Sequence, residues 1–259
     1  MLKIALTGGP CAGKSTILST LTQVLEERGY KALVIPETAT ELILNGILPN
    51  ENMSGLDFQE LIIEKQISKE KIYETAAKRY GDDRVVIICD RGLCDGLAYV
   101  SKDEMELLLN RWDMTVYDAL NTYDCVFHLV TAADGAEEFY EWNDPSKEGA
   151  GNNAARSESP ALAREKDKMN LNSWVGHPHL RIFDNSTNFA DKVSRVVKEL
   201  MSVLGEPEPH EIERKFLIKK PSEESNYETV HGRHCEAPGR CRSGAAAGSR
   251  ACAQGRRGP

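Results

Sequence analysis

The stretch from Leu2 to Arg28 constrains this chain most, because it sets a buried strand, a glycine-rich turn and a helix in immediate succession. Leu2, Ile4, Ala5 and Leu6 form an apolar run ending in Thr7. Gly8, Gly9, Pro10, Cys11, Ala12, Gly13, Lys14, Ser15 and Thr16 then fit G-x-x-x-x-G-K-[ST], the P-loop pattern. Glycine lets backbone amides turn inward around a phosphate without a Cβ in the way, and these amides sit at the positive end of the helix that follows. Lys14 is placed to reach the β and γ phosphates as a point charge. The Ser15 hydroxyl is the candidate ligand of a Mg²⁺ that keeps most of its waters, and Thr16 is a helper at most. The alternative is a glycine turn with an exposed lysine. The strand before it and the helical period of Ile17, Leu18, Leu21, Val24 and Leu25 after it argue for phosphate binding.

Further along, Lys31 to Ile35 reads as a second strand, closed by Pro36 and Glu37 before a helix through Leu44. Glu37 thus lies at the carboxyl end of a parallel strand, where open α/β sheets place their ligands. It is a candidate base or metal-water ligand, or else a carboxylate placed against a helix dipole. Ser54 and Asp57 form a capping box that opens a long helix to Tyr80, with Phe58, Leu61, Ile62, Ile72 and Tyr73 expected to face inward. Val85 to Cys89 form a fully buried run that delivers Asp90 and Arg91 at its tip, in the manner of a Walker B strand. An acid there holds a Mg²⁺ water, and an arginine beside it neutralises phosphate charge. Asp95 is a weaker candidate.

Ser101 and Glu104 cap a helix with apolar positions at Met105, Leu108, Leu109, Trp112 and Val116. Asp124 to Val130 is a fourth strand, and the polar stretch from Thr131 to Asn153 predicts a mobile loop. Arg156, Glu158 and Arg164 follow on a charged helical stretch, either as a lid whose arginines swing over the phosphates or as a solvated face. After a last strand, Leu180 to Phe183, the turn Asp184-Asn185-Ser186-Thr187 offers contacts for a nucleotide base, and Phe189 to Leu204 closes the unit as an amphipathic helix. Strands alternating with helices predict an α/β fold, a P-loop NTPase three-layer sandwich around a five-stranded parallel sheet of order 2-3-1-4-5.

The formal net charge of -8 argues against a nucleic-acid partner. No apolar run approaches the ~18 residues of a membrane span, and no leader precedes the first strand, so a cytoplasmic protein is expected. Seven scattered cysteines without paired C-x-x-C spacing suggest reduced thiols rather than a disulfide framework or zinc site.

Gly8 to Thr16, Ile35-Pro36-Glu37, Cys89-Asp90-Arg91-Gly92 with Asp95-Gly96-Leu97, Arg156-Ser157-Glu158, and Gly176-His177-Pro178 with Asp184-Asn185 together resemble the TRPL translocation defect protein family. Its kinase-like, AAA-type ATPase-like P-loop domain would cover residues 1–205 here. In that family a CYTH-type triphosphate-tunnel domain follows, whose first strand carries E-x-E-x-K, and Glu211-Ile212-Glu213-Arg214-Lys215 matches. The resemblance implies GTP or ATP binding with Mg²⁺, association with anionic phospholipids such as phosphoinositides, peripheral membrane location and a role in membrane traffic.

The chain departs from that pattern after Pro221. From His231 to Pro259 there is no Leu, Ile, Val, Met, Phe, Tyr or Trp, while six arginines stand among Gly, Ala, Pro and Cys. This composition resembles a switched reading frame or alternative exon and predicts a disordered tail over 231–259 behind an incomplete CYTH-type segment over 206–230. Three functions follow from these readings. One is a Mg²⁺-dependent purine nucleotide-binding protein acting as a slow NTPase switch in trafficking. Another is a small-molecule or nucleoside kinase with Glu37 as base, and the third a non-catalytic lipid-binding or scaffold module. No N-K-x-D guanine signature occurs where it would be expected, so GTP and ATP stay open.

Overall fold

A computed structural model describes residues 1–81, 84–140 and 159–206, together with the backbones of 234–236 and 240–242. The chain divides into two compact units, Met1–Pro209 and His210–Pro259. In the first, strands β1 (Leu2–Gly8), β2 (Lys31–Ile35), β3 (Val85–Asp90), β4 (Cys125–Leu129) and β5 (Leu180–Phe183) form a parallel sheet in the order β2-β3-β1-β4-β5, as the alternation of strands and helices predicted. The three central strands are buried nearly throughout, which is why they read as continuous apolar runs rather than as alternating ones.

Helices cover both faces. Side chains of β1 alternate between them, Ile4 and Leu6 toward one and Ala5 toward the other. On the first face α1 (Lys14–Glu27) and α7 (Phe189–Val203) bury Ile17, Leu21, Leu25, Val196 and Leu200 against Ile4, Leu6, Val86, Ile88 and Phe127. On the second, α3 (Gly55–Tyr80), α4 (Lys102–Asn110) and α5 (Val116–Asn121) pack Ile63, Ile67, Met105, Leu108, Leu109 and Ala119 over Ala5, Ile35, Ile87 and Cys89. Two further helices, α2 (Thr38–Leu44) and α6 (Pro160–Ser173), stand at the carboxyl ends of the strands.

Three local expectations are corrected. Leu61 and Ile72 of α3 are exposed, and the buried stripe instead mixes Phe58, Ile63 and Ile67 with Gln59, Gln66 and Glu70. Polar residues on an inward face break the apolar period from which the stripe was read. Next, the run from Met105 to Val116 is two helices. Asp113 takes a positive φ of 53°, and Thr115 starts α5 with its own capping box to Asp118. Finally, the start of the polar stretch after β4 is fixed in place: Thr131 and Ala133 are fully buried, and the Thr131 hydroxyl donates to the Pro10 carbonyl.

Glu206 still belongs to the first unit, accepting from the Tyr30 hydroxyl at 2.8 Å and pairing with Arg84 at 3.3 Å. In the second unit β6 (His234–Glu236) and β7 (Arg240–Arg242) pair antiparallel. The E-x-E-x-K segment at Glu211–Lys215 lies outside the described residues, as does the rest of 207–259 apart from these strands.

Candidate functional site

The phosphate loop begins where β1 runs out of partners at Gly8 and ends where Gly13 caps α1. Gly13 has φ 85°, and a Cβ on it would stand 2.5 Å from the Phe189 ring. One on Gly9 would lie 2.6 Å from the Asp167 carboxylate. Both positions therefore require glycine for conformation or close approach. The loop is held from behind. The Gly9 amide donates to Asp167 Oδ1 at 2.6 Å, Asn170 Nδ2 lies 3.5 Å from the Gly8 carbonyl, and Ala132 N donates to the Cys11 carbonyl at 3.4 Å. Buried His128 on β4 sits 3.3 Å from the same Asp167 oxygen.

Lys14 opens α1, and its ammonium lies 3.4 and 3.3 Å from the carbonyls of Gly8 and Gly9. Burial, and secondarily Arg91, lower it to about 8, against the opposing pull of Glu37, Asp90 and Asp95. A cation held in this state gains from the arrival of an anion. Ser15 and Thr16 are exposed in the first turn of the helix.

Asp90 ends β3 beside Leu6 of β1. Burial raises its carboxyl above the ordinary range, and Oδ1 is buried with no hydrogen-bond partner among the described residues. An orphaned acceptor at the mouth of a phosphate loop fits a metal-bound water. Among the described residues no group of three or more His, Cys, Asp or Glu forms a metal cage. A Mg²⁺ of the kind held by one carboxylate and by phosphate oxygens needs none.

Arg91 has a left-handed backbone, φ 69°, which is strained for a residue with a Cβ. Its guanidinium bridges Glu37 Oε1 at 2.6 Å and Asp95 Oδ1 at 3.5 Å, and its amide donates to the Leu6 carbonyl. Asp95, in the 3-10 turn over 93–98, is 4 % exposed and more committed than its sequence suggested. Its carboxylate accepts from the Thr7 hydroxyl and, at 2.8 Å, from the Gly92 amide, so it fixes the turn that carries Arg91. Despite its burial, Arg91 and Lys14 hold Glu37 below the usual carboxylate range, and its Oε2 accepts from Thr40 at 2.8 Å.

Lys14, Asp90, Glu37 and Arg91 are therefore brought together, and Ser15 stands at the same end of the sheet. Asn185 has its amide on the Thr131 and Asp134 carbonyls, and its Oδ1 accepts from buried Lys192. Arg156 lies outside the described residues, while Arg164 on α6 donates to the Ala133 carbonyl at 2.7 Å. Asp167, Asn170 and Gln66 were missed by sequence reading, because a buried polar residue inside a charged helical stretch carries no local signal. Next to Glu37 and Arg91 a cavity of about 420 Å³ opens between α2, α3 and the turn after Arg91.

Fold and site together define a P-loop NTPase-like domain that binds a nucleotide with Mg²⁺. The family model described as an AAA domain matches residues 3–192, and the chain belongs to that family. No curated protein matches the chain. None of the described helices is long and apolar enough to cross a membrane.

Proposed function

We propose that the domain binds GTP or ATP with Mg²⁺ and transfers the γ-phosphoryl group to a small acceptor bearing a hydroxyl. The observation that carries this reading is the cavity of about 420 Å³ whose charged end, Glu37, Arg91 and Asp95, interacts electrostatically with Lys14 of the phosphate loop. A hydrolase that only positions water has no need of a mostly apolar cleft of this size beside its base. Phosphoryl transfer asks mainly for placement and charge stabilisation. Here the loop amides and Lys14 hold the phosphates, Arg91 sits between donor and acceptor, and Glu37 faces the chamber. Mg²⁺, held by Ser15 and through water by Asp90, would neutralise charge on the phosphate oxygens. Radiolabelled γ-phosphate from GTP and from ATP, followed into a panel of hydroxyl compounds, tests the reading: label in an acceptor supports it, and label found only as inorganic phosphate overturns it.

A second reading is a slow NTPase switch in membrane traffic, associated with phosphoinositide-bearing membranes. Glu37 favours it, since both of its oxygens are engaged and its basicity is lowered. The resemblance to TRPL translocation defect proteins also supports it. In the labelling experiment, inorganic phosphate as sole product is the outcome this reading requires.

A further inference from the structure

The charged groups of the cavity are gathered at one end, where Glu37, Arg91 and Asp95 pair with one another. The remaining wall is mostly apolar, with Ile43, Phe58, Ile62 and Leu93. Gln59 of α3 is set into it, only 8 % exposed. Its carboxamide makes no hydrogen bond to any described residue and lines the open space. Gln66, two turns along the same helix, differs: its oxygen accepts from Thr38, and its nitrogen donates to Glu70 at 2.7 Å. An amide that faces open space from a mostly apolar wall, with no partner among the described residues, is free to bond a ligand that enters.

We infer that this cavity is the acceptor site and that its occupant is an uncharged nucleoside-type molecule. A heterocycle with apolar faces lies among Phe58 and Ile62, its donor–acceptor edge is read by the Gln59 amide, and its hydroxyl is presented to Glu37. The inference rests on the phosphotransferase reading above. Its volume lies within the ~300–1,000 Å³ of small-molecule sites. A polyanion such as an inositol phosphate headgroup would meet a single cation, Arg91, already paired with two carboxylates. A bare sugar would leave hydroxyls facing apolar wall without partners. In the transfer, the acceptor oxygen bonds to the γ-phosphorus as the bond from that phosphorus to the β–γ bridging oxygen breaks. The nucleoside diphosphate leaves with the electron pair, and the hydroxyl proton passes to Glu37 and then to water. The products are a nucleoside diphosphate, a phosphomonoester and one proton.

The test is calorimetric titration of the full chain, loaded with Mg²⁺ and a non-hydrolysable triphosphate, with ribo- and deoxyribonucleosides against ribose and myo-inositol. We expect at least one nucleoside to bind about tenfold or more tighter than either polyol. Gln59→Leu should weaken it by a similar factor and leave triphosphate affinity within about twofold. No nucleoside binding, equal binding of ribose or inositol, or unchanged nucleoside affinity in Gln59→Leu overturns the inference. Should that variant fail to fold, Ile62→Trp fills the same chamber from a half-buried position and must abolish nucleoside binding. The two claims separate. Nucleoside binding without label transfer supports this site and removes the phosphotransferase reading, whereas transfer to a polyol but no nucleoside does the reverse.

Discussion

Two charge clusters, one buried and one half-buried, lie near opposite ends of β1, and they are built on opposite principles. At the start of the strand Lys3 is 3 % exposed, with its ammonium 2.6 Å from Glu70 and 2.7 Å from Glu74. Glu70 also accepts from the Tyr123 hydroxyl and from Gln66, and Tyr123 accepts from the Leu93 amide. Burial alone would lower the Lys3 ammonium, but Glu70 and Glu74 hold it above its ordinary range. Past the other end, among the described residues, Lys14 has two long hydrogen bonds to carbonyls and is lowered to about 8, while Asp90 keeps an oxygen without a partner there and is raised. A cluster whose partners are all internal is scaffold. One whose partners are incomplete is arranged for something that is not part of the chain.

The largest effect should come from breaking the complete cluster. Glu70→Ala leaves Lys3 buried against a single half-exposed carboxylate and should cost about 3–5 kcal/mol of stability. Chemical denaturation reads it, and a loss below about 1 kcal/mol would remove the contrast. Lys14→Ala should act the other way round. It removes a charge-assisted contact of about 1.5–3 kcal/mol to phosphate, roughly ten- to a hundredfold in affinity, and relieves a half-buried, partly desolvated cation, so the thermal midpoint should stay or rise.

The asymmetry also explains what was legible in the sequence. The loop, β2, β3, β5, the capping boxes at Ser54 and Ser101 and the strand order could all be read, because each rests on local spacing. So could Lys14 and Asp90, which motif and strand tip place directly. The commitment of Asp95 to Thr7, of Asp167 to Gly9 and of Glu70 to Lys3 depends on contacts 88, 158 and 67 residues apart, which no window of sequence contains. The inward polar stripe of α3 was misjudged for the same reason: Gln66 and Glu70 are buried only because Thr38, Tyr123 and Lys3 meet them there.

A smaller effect is expected at Asp90. Asp90→Asn should weaken nucleotide binding about tenfold with Mg²⁺ and less than about twofold with the metal chelated. Equal loss in both conditions would detach Asp90 from the metal. The smallest effect is the pH dependence. Lys14 carries its proton below about pH 8 and loses it above. A bound triphosphate holds that proton, so affinity should be flat below pH 8 and fall by up to about tenfold per unit above it, with proton uptake visible in buffers of different ionisation enthalpy. Lys14→Ala should abolish this slope.

The most direct test of the contrast is one titration series, Mg²⁺-GTP and Mg²⁺-ATP into the full chain and into its Lys14→Ala and Glu70→Gln variants, each with its thermal midpoint. The account predicts that Lys14→Ala loses at least about tenfold in affinity at an undiminished midpoint, whereas Glu70→Gln lowers the midpoint and, below it, binds nucleotide within about twofold of the parent. Equal nucleotide affinity in the parent and Lys14→Ala chains, or no binding by the parent chain at all, would contradict it.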